Sequence, residues 1–220
     1  MKTFLILSIV FAMTATAIAQ EPHRFSGSGG GGFDPNAEHQ PCLTAEAHER
    51  IIAILDQQKR LLSGQGKNQI LSPLARPSFD WPLRQAAGRD LAANYGISNF
   101  IDHDPTFPSH VRDYTGGTRT YDLSSGYNHQ GTDIFLWPFA WEMMDHNDAE
   151  IVAAADGVIL YKSDGNFDKN CAFNDGDWNA VYLQHSDGSV TWYGHMKKGT
   201  QTAKPVGASV LRGEFLGNVG

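Results

Sequence analysis

A chain of 220 residues with 17 Lys and Arg against 24 Asp and Glu carries a formal charge of −7. That argues against general affinity for nucleic acid or anionic lipid, both of which need concentrated positive charge. With 41% hydrophobic and 11% aromatic residues the chain can bury an ordinary core, and its length suits one sizeable domain with an N-terminal extension.

Residues 1–19 read as a secretory signal: Lys2 supplies the positive start, residues 4–11 the apolar centre, and Ala17-Ile18-Ala19 a small-x-small cleavage site. Cleavage after Ala19 gives a secreted or periplasmic product of charge −8, since Lys2 leaves with the signal; an uncleaved anchor is the alternative. The apolar run is too short to span a bilayer. No second long apolar segment follows, so no membrane span is expected after signal removal. Residues 20–43 form a linker, flexible through Ser-Gly-Ser-Gly-Gly-Gly-Gly at 26–32. Cys42 and Cys171 are the only cysteines; in an exported chain they can pair, bond elsewhere or stay as thiols.

Residues 44–71 form a helical segment. Thr44 is an N-cap type, Glu46 sits in the first turn, Ile51, Ile52, Leu55, Leu61 and Leu62 recur at helical spacing, and Ser63-Gly64 ends the helix. Such an amphipathic helix packs on the main domain or on another segment. Residues 72–120 are rich in Pro, Gly and Asp, and His103 and His110 read there as surface or loop residues. After Tyr121 the pattern turns to β. Residues 151–161 read as strand, turn, strand about Asp156-Gly157. Two more strands, at 178–185 and 189–196, join through Ser186-Asp187-Gly188, and alternation puts Tyr193 and His195 on one face. Residues 204–219 repeat the pattern. The expected fold is mainly β, an antiparallel sheet core with an N-terminal helical extension, without internal repeats.

His129-Gln130-Gly131-Thr132-Asp133 places an imidazole and a carboxylate four positions apart, the donor types that suit zinc. Gly131 would permit the turn that brings both to one ion; a buried His–Asp hydrogen bond without metal is the alternative. Three further motifs follow in order: Val152-Ala153-Ala154-Ala155-Asp156-Gly157-Val158, Trp192-Tyr193-Gly194-His195-Met196, and Gly213-Glu214-Phe215-Leu216-Gly217-Asn218-Val219-Gly220. Together they resemble the catalytic domain of the lysostaphin-type zinc endopeptidases over residues 79–220, with Phe79-Asp80-Trp81-Pro82-Leu83 as an opening segment similar to the family's. The resemblance implies a metallopeptidase domain at 72–220 with the duplicated hybrid motif of that family, His129 and Asp133 as zinc ligands, and His195 as a catalytic histidine that is not a ligand. It further implies a zinc-activated water as nucleophile and, as substrate, the cross-links or stem peptides of bacterial peptidoglycan or a Gly-rich peptide. The family's third ligand lies in an H-x-H motif shortly after the Leu-Gly-x-Val-Gly run, so a chain ending at Gly220 is expected to be a truncated, inactive form of a full-length enzyme.

Two other readings compete. One is a non-catalytic peptidoglycan-binding or hydrolase-regulating module of the same fold. The other is a carbohydrate-binding β domain using Trp137, Trp141, Trp178 and Trp192. His185 reads as a structural hairpin residue, His146 as an exposed one, and Met143 and Met144 as packing.

Overall fold

The computed structural model describes residues 43–67, 76–101, 130–170 and 177–220. The expectations for the signal, the linker, Cys42, Cys171, His103, His110 and His129 lie outside the described residues. Among the described residues no helix is long and apolar enough to cross a membrane.

Helix α1 is Ala45–Gly64, capped as the sequence predicts: the Thr44 hydroxyl accepts from the Ala47 amide at 3.1 Å. Its buried stripe, Ala47, Leu55 and Leu62, lies on a four-stranded antiparallel sheet of order β7-β6-β5-β8, formed by Val190–Tyr193, Ala180–Gln184, Gly157–Ser163 and Ser209–Val210. Leu55 and Leu62 pack with Leu160, Ala180 and Tyr182, against which Trp178 and Trp192 also lie. On the other face Ile159, Val181, Leu183 and Tyr193 join Ile151, Met196 and Leu216 in the main core. With both faces covered, β6 is buried at all five positions, which explains why residues 180–183 show no polar alternation. Leu55 is 2% exposed and Leu61 49%. Leu55→Ala is therefore expected to cost about 2–5 kcal/mol and Leu61→Ala less than about 0.5 kcal/mol, read by urea denaturation; equal effects would contradict the packing of α1 on the sheet.

Opposite the main core lies a three-stranded sheet of order β1-β4-β9: Leu83–Gln85, Ala149–Val152 and Phe215–Asn218. Asp156-Gly157 does not make a hairpin. Strands β4 and β5 belong to different sheets, and residues 153–156 carry the chain across the core. Residues 211–214 cross back beside them: Gly213 N–H donates to the Ala153 carbonyl at 2.7 Å, Ala153 N–H to that of Glu214 at 2.9 Å, and Arg212 N–H to Asp156 Oδ1 at 2.7 Å. A local turn signal lost to these long-range bonds.

A separate two-stranded sheet pairs β2, Tyr95–Asn99, with β3, Asp133–Leu136, in the register Asn99↔Asp133 and Tyr95↔Leu136. Helix α2, Ala140–Asp145, follows β3; at six residues it is too short for a readable periodicity. Met143 and Met144 are buried against Leu136 and Ala149, the packing role expected of them, and His146 is exposed. No basic residue closes the last turn of α2. Lys197 does so from the far end of the chain, its ammonium donating to the Met144 and Asp145 carbonyls at 2.8 and 3.2 Å.

Candidate active site

Asp133 is the first residue of β3 and is half-buried. Gln130, Gly131 and Thr132 lead into it, as a loop-to-strand reading requires. Gly131 is not in the left-handed region, and a Cβ there would meet nothing within 4 Å. Its own backbone therefore does not demand glycine, and the turn expected to bring His129 to Asp133 involves a residue outside the described ones.

His195 lies just past the end of β7, at the mouth of the four-stranded sheet. The strand alternation that would put it on one face with Tyr193 stops at Tyr193, because His195 adopts a left-handed φ of 51°. For an L residue this backbone costs about 1–2 kcal/mol, and neighbouring bonds hold it there. Met196 N–H donates to the Asn179 carbonyl at 2.9 Å, the Asn179 side-chain amide donates to the Met196 carbonyl at 3.1 Å, and Gly220 N–H donates to the His195 carbonyl at 2.9 Å. A Cβ on Gly220 would stand 2.5 Å from the Met196 carbonyl carbon, so the end of β9 lies tight against this segment.

Trp178 flanks the imidazole edge-to-face, with ring centroids 5.0 Å apart and planes at 86°. Its indole N–H donates to the Tyr182 hydroxyl at 2.9 Å. Gly194 makes the approach possible, because a Cβ there would fall 2.6 Å from the indole. His195 is exposed as a residue, yet surrounding protein, Trp178 included, partly desolvates its imidazole. That desolvation holds its pKa below the ordinary histidine value, while the Asp133 carboxylate acts in the opposite direction. Strands from two different sheets thus bring Asp133 and His195 within electrostatic reach of each other.

Residues 127–220, which contain His129, Asp133 and His195, match the sequence model of peptidase family M23. Over these residues the chain is similar to peptidase family M23. No curated protein and no solved structure matches the chain. Peptidase family M23 is a family of peptidases, whose substrate class is peptide. Its β-rich fold agrees with the antiparallel core read from the sequence.

His185 and Tyr193, within the same residues, are structural. His185 is 3% exposed, with Nδ1 2.7 Å from the Asp156 carbonyl oxygen and Nε2 2.9 Å from the Thr191 hydroxyl. With a carbonyl at Nδ1, that nitrogen carries the proton and Nε2 accepts from Thr191, so no lone pair is left for a metal. Tyr193 is buried, and its hydroxyl accepts from the Ala154 amide at 2.9 Å, fixing the crossing at 153–156. Tyr193→Phe is expected to cost about 1–3 kcal/mol in thermal or denaturant unfolding; unchanged stability would contradict the bond to Ala154. Trp178 and Trp192 pack in the cluster beneath α1, so the four tryptophans do not form one exposed carbohydrate-binding face. The roles of Trp178, Asn179 and Gly220 around His195 were not read from the sequence; the only hint was the small residue Gly194 between two large ones.

Proposed function

We propose that this protein is an exported zinc endopeptidase that cleaves peptide cross-links or stem peptides of bacterial peptidoglycan. The observation that carries the reading is the approach of Asp133 on β3 to His195 beyond β7, inside the M23 match. The donor chemistry fits zinc: a half-buried carboxylate oxygen from Asp133 and the imidazole of His129 four residues earlier are both accepted ligands. The third would be a histidine of an H-x-H motif following the Leu216-Gly217-Asn218-Val219-Gly220 run. The bond from Gly220 N–H to the His195 carbonyl supports this, because it puts that run beside the site.

When bound, zinc supplies Lewis acidity, acidifying water and polarising a peptide carbonyl. The other steps belong to the chain. Asp133 contributes negative charge that favours a cation at this point. His195, whose pKa desolvation lowers against the opposing charge of Asp133, can accept a proton from the nucleophilic water and return it to the leaving amine. In its protonated form it can hydrogen-bond the developing oxyanion. Export would follow from residues 1–19, with cleavage after Ala19.

The test uses the full-length protein incubated with purified peptidoglycan, with fragments read by mass spectrometry. The expected result is new amino termini within the peptide moiety, abolished by a chelator and restored by zinc. Binding without cleavage, indifferent to chelator, would give the non-catalytic module of the same fold instead.

A further inference from the structure

The geometry points to Trp178 as a positioning residue that holds the His195 imidazole in its working orientation. This rests on the reading of His195 as the catalytic histidine. His195 is in a left-handed conformation, so the strand pleat does not aim its side chain. Among the described residues the one ring recorded against the imidazole is the indole of Trp178, edge-to-face at 5.0 Å.

The indole is itself held at three places. Its N–H is bonded to the Tyr182 hydroxyl at 2.9 Å. Its six-membered ring lies over Gly194, where a Cβ would approach to 2.6–2.8 Å. It also packs, partly buried, against the cluster that contains Leu55 and Leu62 of α1. Tyr182 is in turn 1% exposed, stacks against Tyr161 and meets Trp192 edge-to-face. The orientation of His195 is thus referred back to a rigid core on the outer face of the sheet, and α1 becomes part of the apparatus that aims the histidine. Rotation of an acid–base group by a fraction of an ångström acts on kcat and leaves substrate binding nearly unchanged.

The test compares Trp178→Leu, Trp178→Phe and Tyr182→Phe with His195→Ala in the full-length protein. It records kcat and KM on a peptide substrate, zinc content, and the histidine ring resonances by NMR. Trp178→Leu is expected to lower kcat about 10- to 100-fold, with KM and zinc content unchanged and the His195 ring resonances moved by loss of the indole ring current. Trp178→Phe should recover most of the rate. Tyr182→Phe, which keeps the core filled, should give a smaller fall in kcat, so the role is readable even if Trp178→Leu does not fold. In a His195→Ala background Trp178→Leu should cause no further loss. An unchanged kcat in Trp178→Leu, or in Tyr182→Phe where Trp178→Leu does not fold, beside an inactive His195→Ala, would overturn the positioning role alone. So would an equal loss in both backgrounds. Full turnover in His195→Ala would overturn the assignment of His195 itself.

Discussion

His195→Ala in the full-length protein is expected to keep its zinc and to lose about 10²–10⁴-fold in kcat. The expectation follows from two features of the residue. It is exposed and lies within electrostatic reach of Asp133, so it can meet a substrate held at the metal. Its pKa is displaced downward by desolvation; the neutral base therefore persists below the ordinary histidine range, and the acid limb of kcat/KM is expected below about 6.5. The same displacement has a stability consequence. Below about pH 6.5 the unfolded chain binds a proton that folded His195 resists, so this contribution is present above that pH and is lost as pH falls through the folded pKa. A control separates backbone from chemistry: at φ 51°, His195→Gly should be more stable than His195→Ala by about 1–2 kcal/mol, both being inactive. Equal stability would mean that the left-handed backbone is not retained in solution.

Asp133→Ala should remove the metal. Loss of an outer partner of a metal ligand already costs roughly 10- to 100-fold in affinity, so loss of a ligand is expected to cost more than about 100-fold. Zinc content after dialysis, by atomic absorption, reads the effect directly. Asp133 begins β3, which among the described residues pairs with β2 alone in a two-stranded sheet, so the circular dichroism spectrum should be retained. A second signature comes from electrostatics. The Asp133 carboxylate counters the desolvation of His195, and its removal should move the histidine pKa further down in metal-free protein. Full zinc occupancy in Asp133→Ala would sink the ligand assignment. Zinc loss in His195→Ala would instead make His195 a ligand.

Much of the frame was legible because its signals are local. Thr44 opens α1 and Gly64 is its last residue. The strands β6 and β7 pair across the turn that holds Ser186-Asp187-Gly188. Asp133 opens a strand, and His195 follows one. What escaped depends on contacts between distant residues. Asp156-Gly157 has the composition of a hairpin turn, yet the backbone of 211–214 and the Tyr193 hydroxyl draw residues 153–156 into a crossing between sheets. The left-handed turn at His195 is held by Asn179 and Gly220, and no pattern around Tyr193-Gly194-His195 announces it. Trp178 looked like any strand aromatic; only its place between Tyr182, Gly194 and His195 gives it a task. Helix α2, six residues long, offers less than two turns from which to read a period.

The most direct measurement is an anomalous difference map at the zinc edge from crystals of the full-length protein. The account predicts one strong peak coordinated by the Asp133 carboxylate and the His129 imidazole, with the His195 ring adjacent and outside the coordination sphere. A peak held by other residues, or no peak from zinc-saturated protein, would contradict it.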